Sequence, residues 1–184
     1  MDQKFSTQTT EGEAGEKLGF LYNRLLANLD HEWSVQQSLL QLLEEERVAL
    51  TQASTEAIED TNARKESLIL KEKENDAARR DIIEQIRVIA GGEHQKMTLS
   101  FLATAAPDEA AAKRLKNYQQ TLPHLVNTIR THNRRNRELI NAALADTQGA
   151  LQLIRSMVSP AMNYQKTGRF STNAVQGTLI HQEG

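Results

Sequence analysis

Five histidines, a run of three glutamates and a cluster of arginines are the side chains here that could carry chemistry. The histidines stand at positions 31, 94, 124, 132 and 181. No two are spaced to share a helix face as metal ligands. The 184 residues contain no cysteine, which excludes disulfides, thiolate metal sites and thiol nucleophiles. Glu44, Glu45 and Glu46 could in principle divide acid and base roles. Nothing around them supplies a pocket, so they are expected to form a solvated helix face. No phosphate loop, nucleophile elbow or glycine-rich strand-to-helix turn occurs. Neither catalysis nor a cofactor or metal is expected.

Two further clusters could bind rather than react. His132 falls on the inner row of a helical segment, where a phosphotransfer histidine could stand. It is followed by Asn133, Arg134 and Arg135 rather than by the lysine-glycine pair usual in such domains. Arg130, Arg134, Arg135 and Arg137 form a basic stretch that could lie in a nucleic-acid groove. They adjoin an apolar stripe in a chain that is acidic elsewhere, so no nucleic acid is expected. Asn133 and Asn136 lie on or beside that stripe, where a buried asparagine sets helix register.

These residues need elements to position them. Between Gly19 and Gly91 lie 71 residues without glycine or proline, and the first proline is Pro107. Sheets need such punctuation far more often. Aromatics make up only 4% of the chain. The expected fold class is therefore all-α: an elongated antiparallel bundle of three long helices, a helical hairpin plus a kinked third helix, with a flexible C-terminal tail. Seven-residue rows support it. One runs Leu18, Leu25, Glu32, Leu39, Glu46, and its neighbour Tyr22, Leu29, Gln36, Leu43, Leu50. Packing is expected to weaken at Glu32 and Gln36. The hairpin break is placed at residues 51–55, with Ser54 near its centre, because serine and threonine favour caps. Gly91 and Gly92 end the second helix. Residues 95–106 fit either a brief helix or an apolar loop.

Pro107, Asp108 and Glu109 mark the start of the third helix, with proline expected at its first position. Its inner row runs Leu115, Leu122, Ile129, Asn136, and Pro123 is expected to kink or split it. The domain reading is a disordered arm at 1–17, a helical bundle at 18–158 and a flexible tail at 159–184. No stretch of 18 apolar residues occurs, so no membrane insertion is expected. The polar N-terminus lacks the apolar core of a secretory signal, making cytoplasmic residence the default. The net charge of −2 conceals an asymmetry. Residues 1–106 carry 12 Lys/Arg against 19 Asp/Glu, and residues 107–158 carry 8 against 4.

Four segments in order give these residues a family likeness. They are Leu42-Leu43-Glu44-Glu45-Glu46-Arg47-Val48-Ala49-Leu50, then Lys65-Glu66-Ser67-Leu68 with Arg79-Arg80. The stretch from His132 to Ile140 and the tail Tyr164-Gln165-Lys166-Thr167-Gly168 complete the set. Over roughly residues 18–170 the chain resembles the FlgN family of flagellar type III export chaperones. It is longer than the family's usual size, through its N-terminal arm and an insert around residues 93–110. The resemblance implies a cytoplasmic, all-helical, non-enzymatic protein. It implies binding to the C-terminal helices of hook-associated junction proteins (FlgK- and FlgL-like), keeping them from assembling early. It also implies delivery of that cargo to the flagellar export gate. Carried over to this chain, cargo binding maps to Leu139, Leu144, Leu151, Leu153, Ile154 and Met157, and export-gate docking to Tyr164.

The late apolar residues of the third helix fit a groove for a cargo helix. Phe101, Leu102 or a dimer partner are the other candidates to cover them. The oligomeric expectation is a monomer or small homo-oligomer. The rival readings are a structural coiled-coil adaptor that self-associates and a helical signalling module acting through His132.

Overall fold

The computed structural model describes residues 3–90, 96–158, 163–164 and 170–171, with side chains over 12–90 and 96–158. Four helices make up nearly all of it: α1 (Gln3–Thr51), α2 (Thr55–Ile89), α3 (Leu99–Thr104) and α4 (Glu109–Val158). Two-residue strands, β1 (Asn163–Tyr164) and β2 (Phe170–Ser171), pair antiparallel, Asn163 with Ser171 and Tyr164 with Phe170. The chain divides into two units, residues 1–138 and 139–184.

The hairpin turn falls where serine and threonine cluster. Ala53 adopts a positive φ of 51°, a left-handed residue that closes α1. The Ser54 N–H returns to the Ala49 carbonyl, while the Ser54 hydroxyl accepts from the Ala57 N–H and caps α2. Glu56 lies in the first turn of α2, where a carboxylate suits the helix dipole. Residues 91–95, with the expected glycine stop, lie outside the described residues. α1 takes in residues from the stretch expected as an arm, and side chains 12–17 are exposed along it.

The insert contains a helix of its own. Thr98 caps α3 by accepting from the Phe101 N–H, and the Tyr22 hydroxyl donates to the Leu102 carbonyl at 3.0 Å. The start of α4 differs in detail from expectation. Its first helical residue is Glu109, and the Asp108 carboxylate caps it by accepting from the Ala111 N–H at 2.7 Å. Pro107 therefore precedes the cap instead of opening the helix. α4 is not split at Pro123 but continues through it. Pro123 and Gln119 are both exposed, so water can satisfy the carbonyl that loses its donor.

Unit 1 packs around α1. A first core joins Leu21, Tyr22, Leu25, Leu26 and Leu29 to Ile82 and Ile86 of α2, Leu102 of α3, and Leu115 and Leu122 of α4. A second joins Leu43 to Leu125 and Ile129, with Trp33 packed against both. Between them the α1–α2 interface is polar. Asn28 donates to the Asn75 side-chain oxygen at 2.7 Å, and Glu32 is paired with Arg79. Packing does not lapse at Glu32: it is buried, and its charge is met across the interface. The charged stretch of α2 from Lys71 to Arg80 shares in this interface: Asn75 is buried and Glu72, Asp76 and Arg79 are half-buried. The contacts also give directions. Asn28 meets Asn75 and Glu46 meets Lys65, so α2 runs against α1. Asp30 meets Arg114 and Leu43 meets Asn136, so α4 runs with α1.

Candidate functional site

His132, Glu44, Glu45, Glu46 and Asn136, singled out by sequence, are ties between helices. His132 is half-buried, its Nδ1 2.8 Å from Glu44, joining α4 to α1. Glu44 also meets Arg47 at 3.2 Å, and Glu45 meets Arg64 at 2.7 Å. Glu46 corrects the expectation of a solvated glutamate face, because it is 2% exposed. It takes Lys65 at 2.6 Å and the Asn136 amide at 2.9 Å. Its place on the inner row of α1 was the signal that a carboxylate run had masked. Asn136 is buried as the register reading requires, and its amide also donates to the Leu43 carbonyl at 2.8 Å. Asn133 is exposed. Arg130, Arg134, Arg135 and Arg137 are exposed, with Arg134 4.0 Å from Glu138.

One carboxylate in the α1–α2 interface stands apart. Burial raises the Glu72 carboxyl above its ordinary value, and the neighbouring Glu32 charge adds to this. Gln36 and Arg79 oppose the shift without cancelling it. One Glu72 oxygen is buried without a hydrogen-bond partner. On the surface, Asp30 is held below its ordinary value first by the Tyr118 hydroxyl and then by Arg114.

A groove of about 640 Å³ opens in unit 1 between the helices, with Leu29, Ile83, Met97, Leu122 and Val126 among its walls. Its charged lining is Glu32, Arg79 and Arg130, and the first two are already paired. No nucleophile beside a base lines it. Among the described residues no group of histidines and carboxylates is placed to hold a metal ion.

The surface without an internal explanation is in unit 2. Every side chain of α4 from Leu139 to Val158 is exposed. Leu139, Leu144, Leu151, Leu153, Ile154 and Met157 all lie there, from 38% exposed at Leu139 to 73% at Met157. Sequence reasoning left Ile140 out of this surface; Val158, one of the late apolar residues but not one of the cargo positions, is 76% exposed. The four-residue step from Ile140 to Leu144 was the available signal. At about 100° per residue, Ile140, Leu144, Leu151, Ile154 and Val158 share one stripe. Leu139, Leu153 and Met157 fall on the adjoining one, with Ala143 and Ala150 between them. The arc spans about 180°, wider than the ~100° stripe of an ordinary surface helix, and is apolar but for Asp146, on the row of Leu139 and Leu153, and Thr147.

The opposite face carries Asn141, Gln148, Gln152, Arg155 and Ser156. Asp146 and Arg155 are the only charged residues from 139 to 158. Leu102 is wholly buried in the first core of unit 1. β1 contains Tyr164, whose side chain lies outside the described residues. Apart from the two strands, the expected tail at 159–184 lies outside them too.

A protein-family model described as FlgN protein matches residues 21–172, from the first core residue of α1 through β2. No curated protein and no solved structure matches the chain.

Proposed function

The chain belongs to the FlgN family of flagellar export chaperones, and from that premise we propose that the exposed arc at residues 139–158 is its cargo site. The cargo is the C-terminal helical segment of a hook–filament junction protein. Such a segment is amphipathic and exposes its apolar face until it assembles. The chaperone covers that face by laying it against Leu139, Leu144, Leu151, Leu153, Ile154 and Met157. Assembly is then blocked because the same face is occupied.

The observation that carries this reading is the arc itself: eight large apolar side chains exposed on one helix. Monomeric proteins leave patches of such extent open mainly where a partner binds. Methionine at 157 suits it, since a flexible thioether adapts to more than one partner surface. Export-gate docking is assigned to the tail, with Tyr164 as its contact. Residence is cytoplasmic, where the cargo is made. Among the described residues no helix is long and apolar enough to cross a membrane.

Calorimetric titration of a junction-protein C-terminal segment into the full chain tests the cargo step. Saturable one-to-one binding is expected, and absence of heat at every temperature tried contradicts it. Truncation after Val158 separates the two steps. It should weaken export while leaving most of the cargo affinity in place.

A further inference from the structure

The exposed arc raises a question that cargo binding leaves open, namely what covers it in the cargo-free protein. We infer that a second copy of the chain does, by two-fold pairing of residues 139–158. Area is the first argument. The eight large side chains together leave on the order of 900 Å² exposed per copy. The largest patch on a typical monomer is only about 300–600 Å². A pairing that covers roughly two thirds of the arc on each copy buries about 1,200 Å² in total, the lower end of stable interfaces.

Charge is the second argument. A two-fold interface brings one patch onto itself, so any net charge meets its own sign. Residues 1–106 carry a surplus of seven acidic groups (19 against 12), and Arg130, Arg134, Arg135 and Arg137 crowd a short stretch of α4. Residues 139–158 hold one acid, Asp146, and one base, Arg155. By helical phase Asp146 falls near one edge of the arc, on the row of Leu139 and Leu153, and Arg155 falls outside it, so the face that would meet its copy is apolar but for that one acid. Ala143 and Ala150 lie in the middle of the arc and let two helix axes approach closely.

Pairing at the lower size limit is reversible, with a dissociation constant of about 1–100 µM. It hides the arc from unrelated apolar surfaces and yields to a better one. The pairing itself stands apart from the cargo reading, whereas its release by cargo rests on that reading.

Light scattering behind size exclusion, on the full chain from about 1 to 100 µM, tests the pairing. The mass should rise with concentration toward that of two chains. Leu151→Asp and Ile154→Asp should each hold it at one chain without loss of helical circular dichroism. A single-chain mass throughout overturns the inference, as does a dimer that both variants leave intact. Adding the junction-protein segment then separates the two proposals. If it converts the dimer to a one-to-one complex, both stand. If the dimer persists and no complex forms, pairing stands and the cargo reading fails. If a monomeric chain binds the segment, the cargo reading stands and pairing fails.

Discussion

The side-chain amide of Asn136 donates to the Glu46 carboxylate at 2.9 Å, with both residues only 2% exposed. The same carboxylate holds Lys65 at 2.6 Å, so one buried charge ties α1, α2 and α4 together. Register along unit 1 is therefore set at a point where an apolar contact could slide. Replacing Asn136 by alanine leaves the Leu43 carbonyl and one Glu46 oxygen without their donor. A loss of about 1–3 kcal/mol in urea unfolding is expected. Glu46→Ala should cost a similar amount, and the double variant less than the sum by at least ~0.5 kcal/mol. Strict additivity would show that the pair does not act as a unit.

Ala53 sits at φ 51°, a region that costs an L-residue about 1–2 kcal/mol and costs glycine almost nothing. Ala53→Gly relieves that strain and gives part of it back in unfolded-state entropy. The net expectation is a gain of about 0.5–1 kcal/mol in unfolding free energy. An unchanged or lower value would mean the turn is not under strain.

Gly149 lies inside α4 with nothing within 4 Å of where a Cβ would be. Glycine in a helix interior costs about 1 kcal/mol relative to alanine. Gly149→Ala should slow amide exchange across residues 139–158. The unfolding midpoint of unit 1 should stay where it is. Equal exchange in the two proteins would refute the helical propensity argument.

Glu72 makes stability depend on pH in a defined direction. Its carboxyl titrates above the unfolded value because burial and the Glu32 charge disfavour ionisation. A raised acid is fully compatible with folding below the unfolded carboxylate range. Its contribution is lost as pH rises through the folded value. Glu72→Gln should therefore raise the thermal midpoint at neutral pH and flatten this part of the pH profile. Unaltered pH dependence between the two proteins would contradict it.

Much of this organisation is legible in residue order, for physical reasons that differ by element. The hairpin break at Ser54 shows because capping is local chemistry, carried by a serine followed by an acidic first turn. Leu115, Leu122, Ile129 and Asn136 are buried as their seven-residue row implies. Burial of Glu46 and Glu32 is less legible, because it depends on Lys65 and Arg79 arriving from another helix. Asp108 as the cap of α4 was hidden behind Pro107, since both residue types signal a helix start. In the candidate site, the seven-residue rows of α4 continue past Asn136 through Ala143, Ala150 and Met157 and through Leu139 and Leu153, with Asp146 the one charge on them. Sequence alone therefore could not say where burial stops. The structure shows every side chain beyond Asn136 exposed, up to the end of the helix.

Amide hydrogen exchange on the full chain, with and without the junction-protein C-terminal segment, tests the cargo site most directly. The account predicts new protection concentrated in residues 139–158, and none of comparable size around the groove lined by Leu29, Ile83 and Val126. Protection confined to that groove, with residues 139–158 exchanging as before, would contradict it.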